Sequence, residues 1–219
     1  MKTAAEWDRQ VGLIRKQVSG SELPSVTKIA SKKRDPFKVL VSTIISLRTK
    51  DEVTSAASER LFAKADSPKT LLGLSEKKIA ELIYPAGFYR QKAGQLKKCA
   101  AIIEHQHGGK VPRSQQELLA LPGVGLKTAN LTLNLGFGID AICVDTHVHR
   151  ISNRLGWVRA KSPDETEAAL SAVLPLKYWI EINSLLVSFG KSVCTPVSPF
   201  CSQCMLGEEC PRRGVTRNR

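Results

Sequence analysis

Apolar residues recur at helical spacing along almost the whole chain, and no run alternates apolar and polar residues as a half-buried strand does. That periodicity predicts an all-α fold. Residues 4–18 read as a short amphipathic helix, and residues 20–27, with Gly20, Ser21 and Pro24, as a linker. Asp35-Pro36 then opens PFKVLVSTIISLRT, where proline suits a first helical turn. VLVSTII alone would suit a strand, but the length of the run favours a buried helix. Further helices are expected at 50–64, 68–73, 75–83 and 89–107, with Ser67 and Ser75 as N-terminal signals. Ser114 and Glu117 form a capping box for a short helix ending near Leu121. A tight turn at Pro122-Gly123-Val124-Gly125 leads into another helix over 126–136. The last three are expected from Asp145, from Ser162-Pro163-Asp164, and over 177–191.

Composition narrows the function. The 219 residues include no run of about 18 apolar ones, so no membrane span is expected. The N-terminus, MKTAAEWDRQVGLIRKQ, carries charges where a signal peptide needs apolar residues. Both features point to a soluble intracellular protein. Lys and Arg number 33 against 20 Asp and Glu, a net charge of +13, which attracts polyanions such as nucleic acid.

The segment LLALPGVGLKTANLTLNLGFG reads as helix, hairpin, helix. Gly123 and Gly125 permit a sharp turn and close backbone approach. Backbone N–H groups at the start of the second helix point outward with the positive end of its dipole, which suits a phosphate oxygen. Neither nucleotide-loop motif fits. No strand precedes the glycines, and Leu126 stands where a phosphate loop needs glycine before Lys-Thr. Lys127 lies in the first helical turn, whereas lysines favour the last. There it is a candidate amine nucleophile toward an electrophilic carbon. Asp145 is a candidate helix cap and, functionally, a carboxylate able to stabilise a developing cation. His147 and His149, two positions apart, do not share a helix face and read as structural.

Cys99 and Cys143 stand alone, whereas Cys194, Cys201, Cys204 and Cys210 are spaced C-x6-C-x2-C-x5-C. Four thiolates this close suit one metal centre, and both zinc and a [4Fe–4S] cluster take four cysteines. The short intervals, without a paired C-x2-C or histidine, are more like a cluster loop than a zinc finger.

Taken together and in this order, LPGVGLKTAN, VDTHVHR and the four-cysteine spacing resemble the endonuclease III family of helix-hairpin-helix DNA repair glycosylases. The resemblance runs from DPFKVLVSTIISLRTKD to the last cysteine. It implies two helical domains: a six-helix barrel carrying the hairpin over residues 29–139, and a cluster domain from residues 1–28 and 140–219. It implies a monomeric base excision repair glycosylase with AP lyase activity, acting in the cytoplasm at the nucleoid. Its partner would be double-stranded DNA with damaged bases or abasic sites. Oxidised pyrimidines such as thymine glycol would be removed, and the strand cut 3′ to the abasic site by β-elimination. Lys127 would be the nucleophile and Asp145 the carboxylate assisting base departure. Gly123, Val124 and Gly125 would grip a phosphate, and the four clustered cysteines would hold a [4Fe–4S] cluster.

Two positions depart from the family's bacterial pattern. Arg48 stands where glutamine often fills the space of the flipped base, and Phe88 where leucine wedges into the opposite strand. Both side chains are still able to serve, by hydrogen bonding and stacking. The loop TPVSPF lacks the basic residues that some relatives aim at DNA, a charge that Lys191 or the tail RRGVTRNR would supply. A monofunctional adenine or mismatch glycosylase is the nearest alternative, and a non-catalytic DNA-binding module the alternative of another class. The hairpin lysine argues against the first.

Overall fold

The computed structural model describes residues 2–32 and 34–219, and among these there is no strand. In chain order the helices are α1 (Ala4–Gln17), α2 (Ser25–Lys32), α3 (Pro36–Ser46), α4 (Asp51–Phe62), α5 (Pro68–Leu72) and α6 (Glu76–Ile83). There follow α7 (Tyr89–Gln106), α8 (Gln115–Leu119), α9 (Leu126–Leu131), α10 (Thr146–Arg154), α11 (Pro163–Val173) and α12 (Ile182–Ser192). The chain divides into two compact units, one of Ser25–Ala141 and one of Met1–Pro24 with Ile142–Arg219.

The first unit is organised around α3. Asp35 caps it, accepting from the N–H groups of Phe37 and Lys38 at 3.0 and 3.1 Å, with Pro36 in the first turn. Leu40, Val41, Ile44 and Ile45 are all buried, so helix rather than strand is the outcome for VLVSTII. Its polar residues do not spoil the core, because Ser42 and Thr43 donate back to the carbonyls of Lys38 and Val39, each at 2.6 Å. Around it pack Leu61 of α4, Ile79 and Ile83 of α6, and Leu96, Ala100 and Ile103 of α7. Each such leucine or isoleucine side chain contributes about 1.5–3 kcal/mol of burial.

In the second unit the chain's ends share a core. Trp7 of α1 meets Trp157 edge-on with ring centroids 4.9 Å apart, and Gln10 accepts from the Trp157 indole at 2.7 Å. Ile142, Val148, Ile151, Leu170, Leu186 and Phe189 complete it.

Three segments differ from the sequence reading. The linker stops at Pro24, and Ser25–Lys32 is a helix rather than the continuation of residues 20–27. Val26 is buried and Ser25 donates to Asp51 at 3.0 Å, so contacts with the core hold a stretch whose composition reads as loop. The helix after the hairpin widens into a π segment at Thr132–Phe137, closed by Gly138 at φ +69°. There Thr132 donates back to the Thr128 carbonyl at 2.8 Å, and Gly136 lies where a Cβ would stand 2.8 Å from the Cα of Pro36. The run 177–191 splits into a 3-10 turn at Leu176–Tyr178 and then α12. Tyr178 donates to Asp8, and the Trp179 indole donates to the Leu174 carbonyl at 2.9 Å, so both aromatics are tied away from a continuous helix.

Candidate functional site

The hairpin between α8 and α9 is seated on α7. Gly123 has φ +77°, and a Cβ there would stand 2.6 Å from the Gln95 side chain. Four residues further along α7, the Cys99 thiol donates to the Pro122 carbonyl at 3.2 Å, and burial pushes that thiol up to about 12. Val124 is buried beneath the turn. Gly125 differs from Gly123: its φ of −100° is open to any residue, and nothing lies within 4 Å of the place of a Cβ. The turn therefore requires one glycine, Gly123; the absent side chain at Gly125 leaves exposed open space outside the protein. Gly125 is the N-cap of α9, without a side-chain hydrogen bond. A glycine at the N-cap supplies no capping side chain, so the start of the helix is left open at that residue, the kind of place where backbone N–H groups can take an anion. Lys127, half-buried, lies in that first turn.

On the same unit, the connection from α3 to α4 meets the loop before α7. Arg48 has φ 51° and Phe88 φ 57°, a region that costs a non-glycine residue about 1 kcal/mol or more. Phe88 is 58% exposed, and the Arg48 guanidinium lies 5.5 Å from its ring centroid. Gly87 holds the loops together: its N–H donates to the Thr49 hydroxyl at 3.0 Å, and a Cβ would stand 2.3 Å from the Arg48 carbonyl. Beneath them lies Lys92, 4% exposed. Its ammonium donates to the carbonyls of Ile45 and Leu47 at 2.7 and 2.5 Å and to the Thr49 hydroxyl at 3.0 Å. Burial pushes the Lys92 amine down to about 8.

In the other unit, Asp145 caps α10. Its Oδ1 accepts from the N–H groups of His147 and Val148, both at 2.9 Å. Both bonds use one oxygen, so the cap does not engage Oδ2. The histidines are occupied structurally, as their spacing implied: His147 faces Arg150 at 3.2 Å and His149 the Thr166 hydroxyl at 2.6 Å. Lys191 is exposed in the last turn of α12.

Cys194, Cys201, Cys204 and Cys210 line one cavity, roofed by Phe189, Val193, Phe200 and Leu206. No three His, Cys, Asp or Glu side chains among the described residues are placed to hold a single metal ion. Burial pushes the Cys204 and Cys210 thiols up, opposed by the N–H groups of Leu206 and Gly207 at Cys204 and of Arg212 at Cys210. Arg154 donates to the Cys194 sulfur at 3.4 Å and to the Thr195 and Pro196 carbonyls, both at 2.7 Å, bracing the loop. The last residue of the tail also packs on this loop. The Arg219 guanidinium stacks 3.9 Å from the Phe200 centroid and donates to the Ser198 carbonyl at 3.0 Å. The tail's last arginine thus packs against TPVSPF, the loop whose missing charge Lys191 or the tail was expected to supply.

The sequence profile of the HhH-GPD superfamily of base excision DNA repair proteins matches residues 41–176. Endonuclease III of Thermotoga maritima is 47% identical over 86% of this chain and 91% of its own length. The chain belongs to the endonuclease III family. It has that family's all-helical fold and is a base excision repair glycosylase and AP lyase. A solved structure of a trapped endonuclease III–DNA covalent intermediate superposes with a TM-score of 0.84 at 32% identity, covering 97% of each chain. A thermostable thymine-DNA glycosylase matches with a TM-score of 0.81 at 26% identity, over 95% of this chain and 96% of its own. No helix among the described residues is long and apolar enough to cross a membrane.

Against this endonuclease III framework, two site residues escape a reading of motifs. Lys92 is one. It shares the buried face of α7 with Leu96, Cys99 and Ile103, and a lysine in that apolar register is the signal that marks it. Arg154 is the other. It lies on a strongly amphipathic helix, and only the folded loop shows that its guanidinium serves the cysteine centre.

Proposed function

We propose that this endonuclease III family member removes oxidised pyrimidines from duplex DNA and then cuts the strand 3′ to the abasic site. The observation that carries the reading is the start of α9, where the N-cap Gly125 leaves open space in place of a Cβ, with Lys127 in its first turn. Its backbone N–H groups would take a phosphate, and the hairpin of Gly123, Val124 and Gly125 would bring the sugar to the lysine. An oxidised pyrimidine has lost stacking, so extruding it costs less than extruding an intact base.

Asp145, with Oδ2 outside its capping pair, would stabilise the positive character of the sugar as the C1′–N bond breaks and the base leaves with the electron pair. The Lys127 amine forms the C1′–N bond, and the sugar opens to a Schiff base. That acidifies the C2′ proton; its loss to a base expels the 3′ phosphate as the C3′–O bond breaks. Arg48 would fill the space of the flipped base and Phe88 would wedge the stack, with Lys191 adding charge. The enzyme acts as a monomer in the compartment that holds the genome.

The unit of Ser25–Ala141 would be the barrel domain carrying the hairpin, and the two-ended unit the cluster domain. The cysteine cavity fits a [4Fe–4S] cluster. Four thiols line one apolar space, with N–H groups directed at the sulfurs of Cys204 and Cys210, a donor set of the kind such a cluster takes. Cys194, Cys201, Cys204 and Cys210 would hold it, and when bound it supplies the iron–thiolate bonds that close the loop.

The likeness to a thymine-DNA glycosylase favours a monofunctional mismatch enzyme as the second reading. Borohydride trapping on an abasic duplex separates the two. Covalent protein–DNA adduct is expected from the wild type and none from Lys127→Ala, with DNA binding retained. Normal cleavage by the mutant would remove Lys127 as nucleophile; absence of adduct from the wild type would favour the monofunctional reading.

A further inference from the structure

An ammonium has three donors, and Lys92 places all three on oxygen: Ile45 O, Leu47 O and Thr49 Oγ1. The Ile45 carbonyl belongs to the last turn of α3, where unpaired carbonyls and the negative end of the dipole attract a cation. A helix cap would account for that bond alone. The other two go further along the chain. The Leu47 carbonyl is the peptide group joining Leu47 to Arg48, so Lys92 grips the backbone at the entry to Arg48. Thr49 follows Arg48, and its hydroxyl accepts from the N–H of Gly87, next to Phe88. Lys92 itself lies one turn along α7 from Phe88, its N–H bonded to the Phe88 carbonyl at 3.0 Å. A continuous hydrogen-bonded path therefore runs from Phe88 through Lys92 and Thr49 back to Gly87, enclosing Arg48.

What this path secures is unusual backbone. Arg48 and Phe88 both occupy left-handed conformations, which persist in non-glycine residues only where the surroundings over-determine them. The two side chains meet as a cation–π pair. The buried amine of Lys92 is surrounded by neutral oxygens, so its bonds secure backbone instead of neutralising a carboxylate.

We propose that Lys92 is a positioning residue for lesion recognition: by pinning both loops it presents Arg48 and Phe88 as one preformed unit to the DNA stack. The proposal rests on the reading of Phe88 as the wedge.

Two measurements on the whole 219-residue chain test it. One is the ratio of affinities for a duplex with a tetrahydrofuran abasic analogue and for the intact duplex. The other is the fluorescence of a 2-aminopurine opposite the analogue, read at saturating protein, which reports unstacking there. Phe88→Ala should lower the ratio about tenfold, equivalent to about 1.4 kcal/mol, and dim the fluorescence. Lys92→Met should do the same, and Lys92→Met with Phe88→Ala should do no more than Phe88→Ala alone. Thr49→Val cuts the link to Gly87 while sparing both carbonyl bonds to Lys92, so it covers the case in which Lys92→Met does not fold; it should shift both readouts in the same direction. Additive losses in the double mutant, or wild-type readouts from both Lys92→Met and Thr49→Val, would overturn the positioning role. Wild-type readouts from Phe88→Ala would instead overturn the wedge on which the proposal stands.

Discussion

Replacing Gly125 by alanine separates binding from folding at the hairpin. At φ −100° alanine adopts the native backbone without strain, and its Cβ meets nothing within 4 Å. Removing the glycine's freedom in the unfolded chain stabilises by about 0.4–1 kcal/mol. Alanine is a poorer N-cap than glycine, which costs about 0.5–1 kcal/mol. The two nearly cancel, so the unfolding free energy should stay within about 0.5 kcal/mol of wild type. Gly123→Ala is the contrast. Its φ of +77° costs an L-residue about 1–2 kcal/mol, and the Gln95 side chain must move from a Cβ 2.6 Å away. Binding should respond in the reverse order of stability. In Gly125→Ala the methyl occupies the space through which a phosphate would approach, and one hydrogen bond to a charged group is lost. That is about 1.5–3 kcal/mol, or roughly ten- to hundredfold in affinity. Backbone N–H groups carry no full charge, so the salt dependence should not change. Urea unfolding and affinity for intact duplex at several salt concentrations measure both effects. Wild-type affinity in Gly125→Ala would refute the assignment of the hairpin as the phosphate grip, and a stability loss as large as that of Gly123→Ala would contradict the reading that the turn requires Gly123 alone.

Three other outcomes are expected. With a net charge of +13, binding of intact DNA should be sequence-independent; if four to six phosphates are neutralised, log K should fall with log salt at a slope of about −4 to −5, and a slope near zero would exclude it. The purified protein should be yellow-brown with broad absorbance near ~400 nm, and Cys204→Ser should lose iron and colour; a colourless wild type holding one zinc per chain would refute the cluster. The Lys92 amine, lowered to about 8 from 10.5, binds fewer protons folded than unfolded between those values. Its contribution therefore makes stability rise with pH across that window, so the stability gap between wild type and Lys92→Met should change from pH 7.5 to 9.5 in favour of wild type, and an unchanged gap would contradict it.

Most helices were legible because their signals are local. Asp35, Ser75, Ser114, Asp145 and Ser162 cap the helices they precede, each bonding backbone N–H groups within three residues. The hairpin, its lysine and the cysteine spacing are likewise contained in short segments, and the family resemblance rests on them. What escaped was non-local. Ser25–Lys32 is helical through contacts with the core, not through its composition. Only Gln95, brought under the turn by α7, shows which of two glycines the hairpin requires. The π segment follows the close packing of Gly136 on Pro36, and Arg219 is drawn to Phe200 by a loop that doubles back.

The order of helices, the turn and the set of thiols were thus determined by the sequence itself, since capping, periodicity and chain spacing act between near neighbours. Tertiary structure alone decided that Lys92 is buried beneath Arg48 and Phe88, because an ammonium leaves water only where distant segments assemble enough oxygens to replace its hydration.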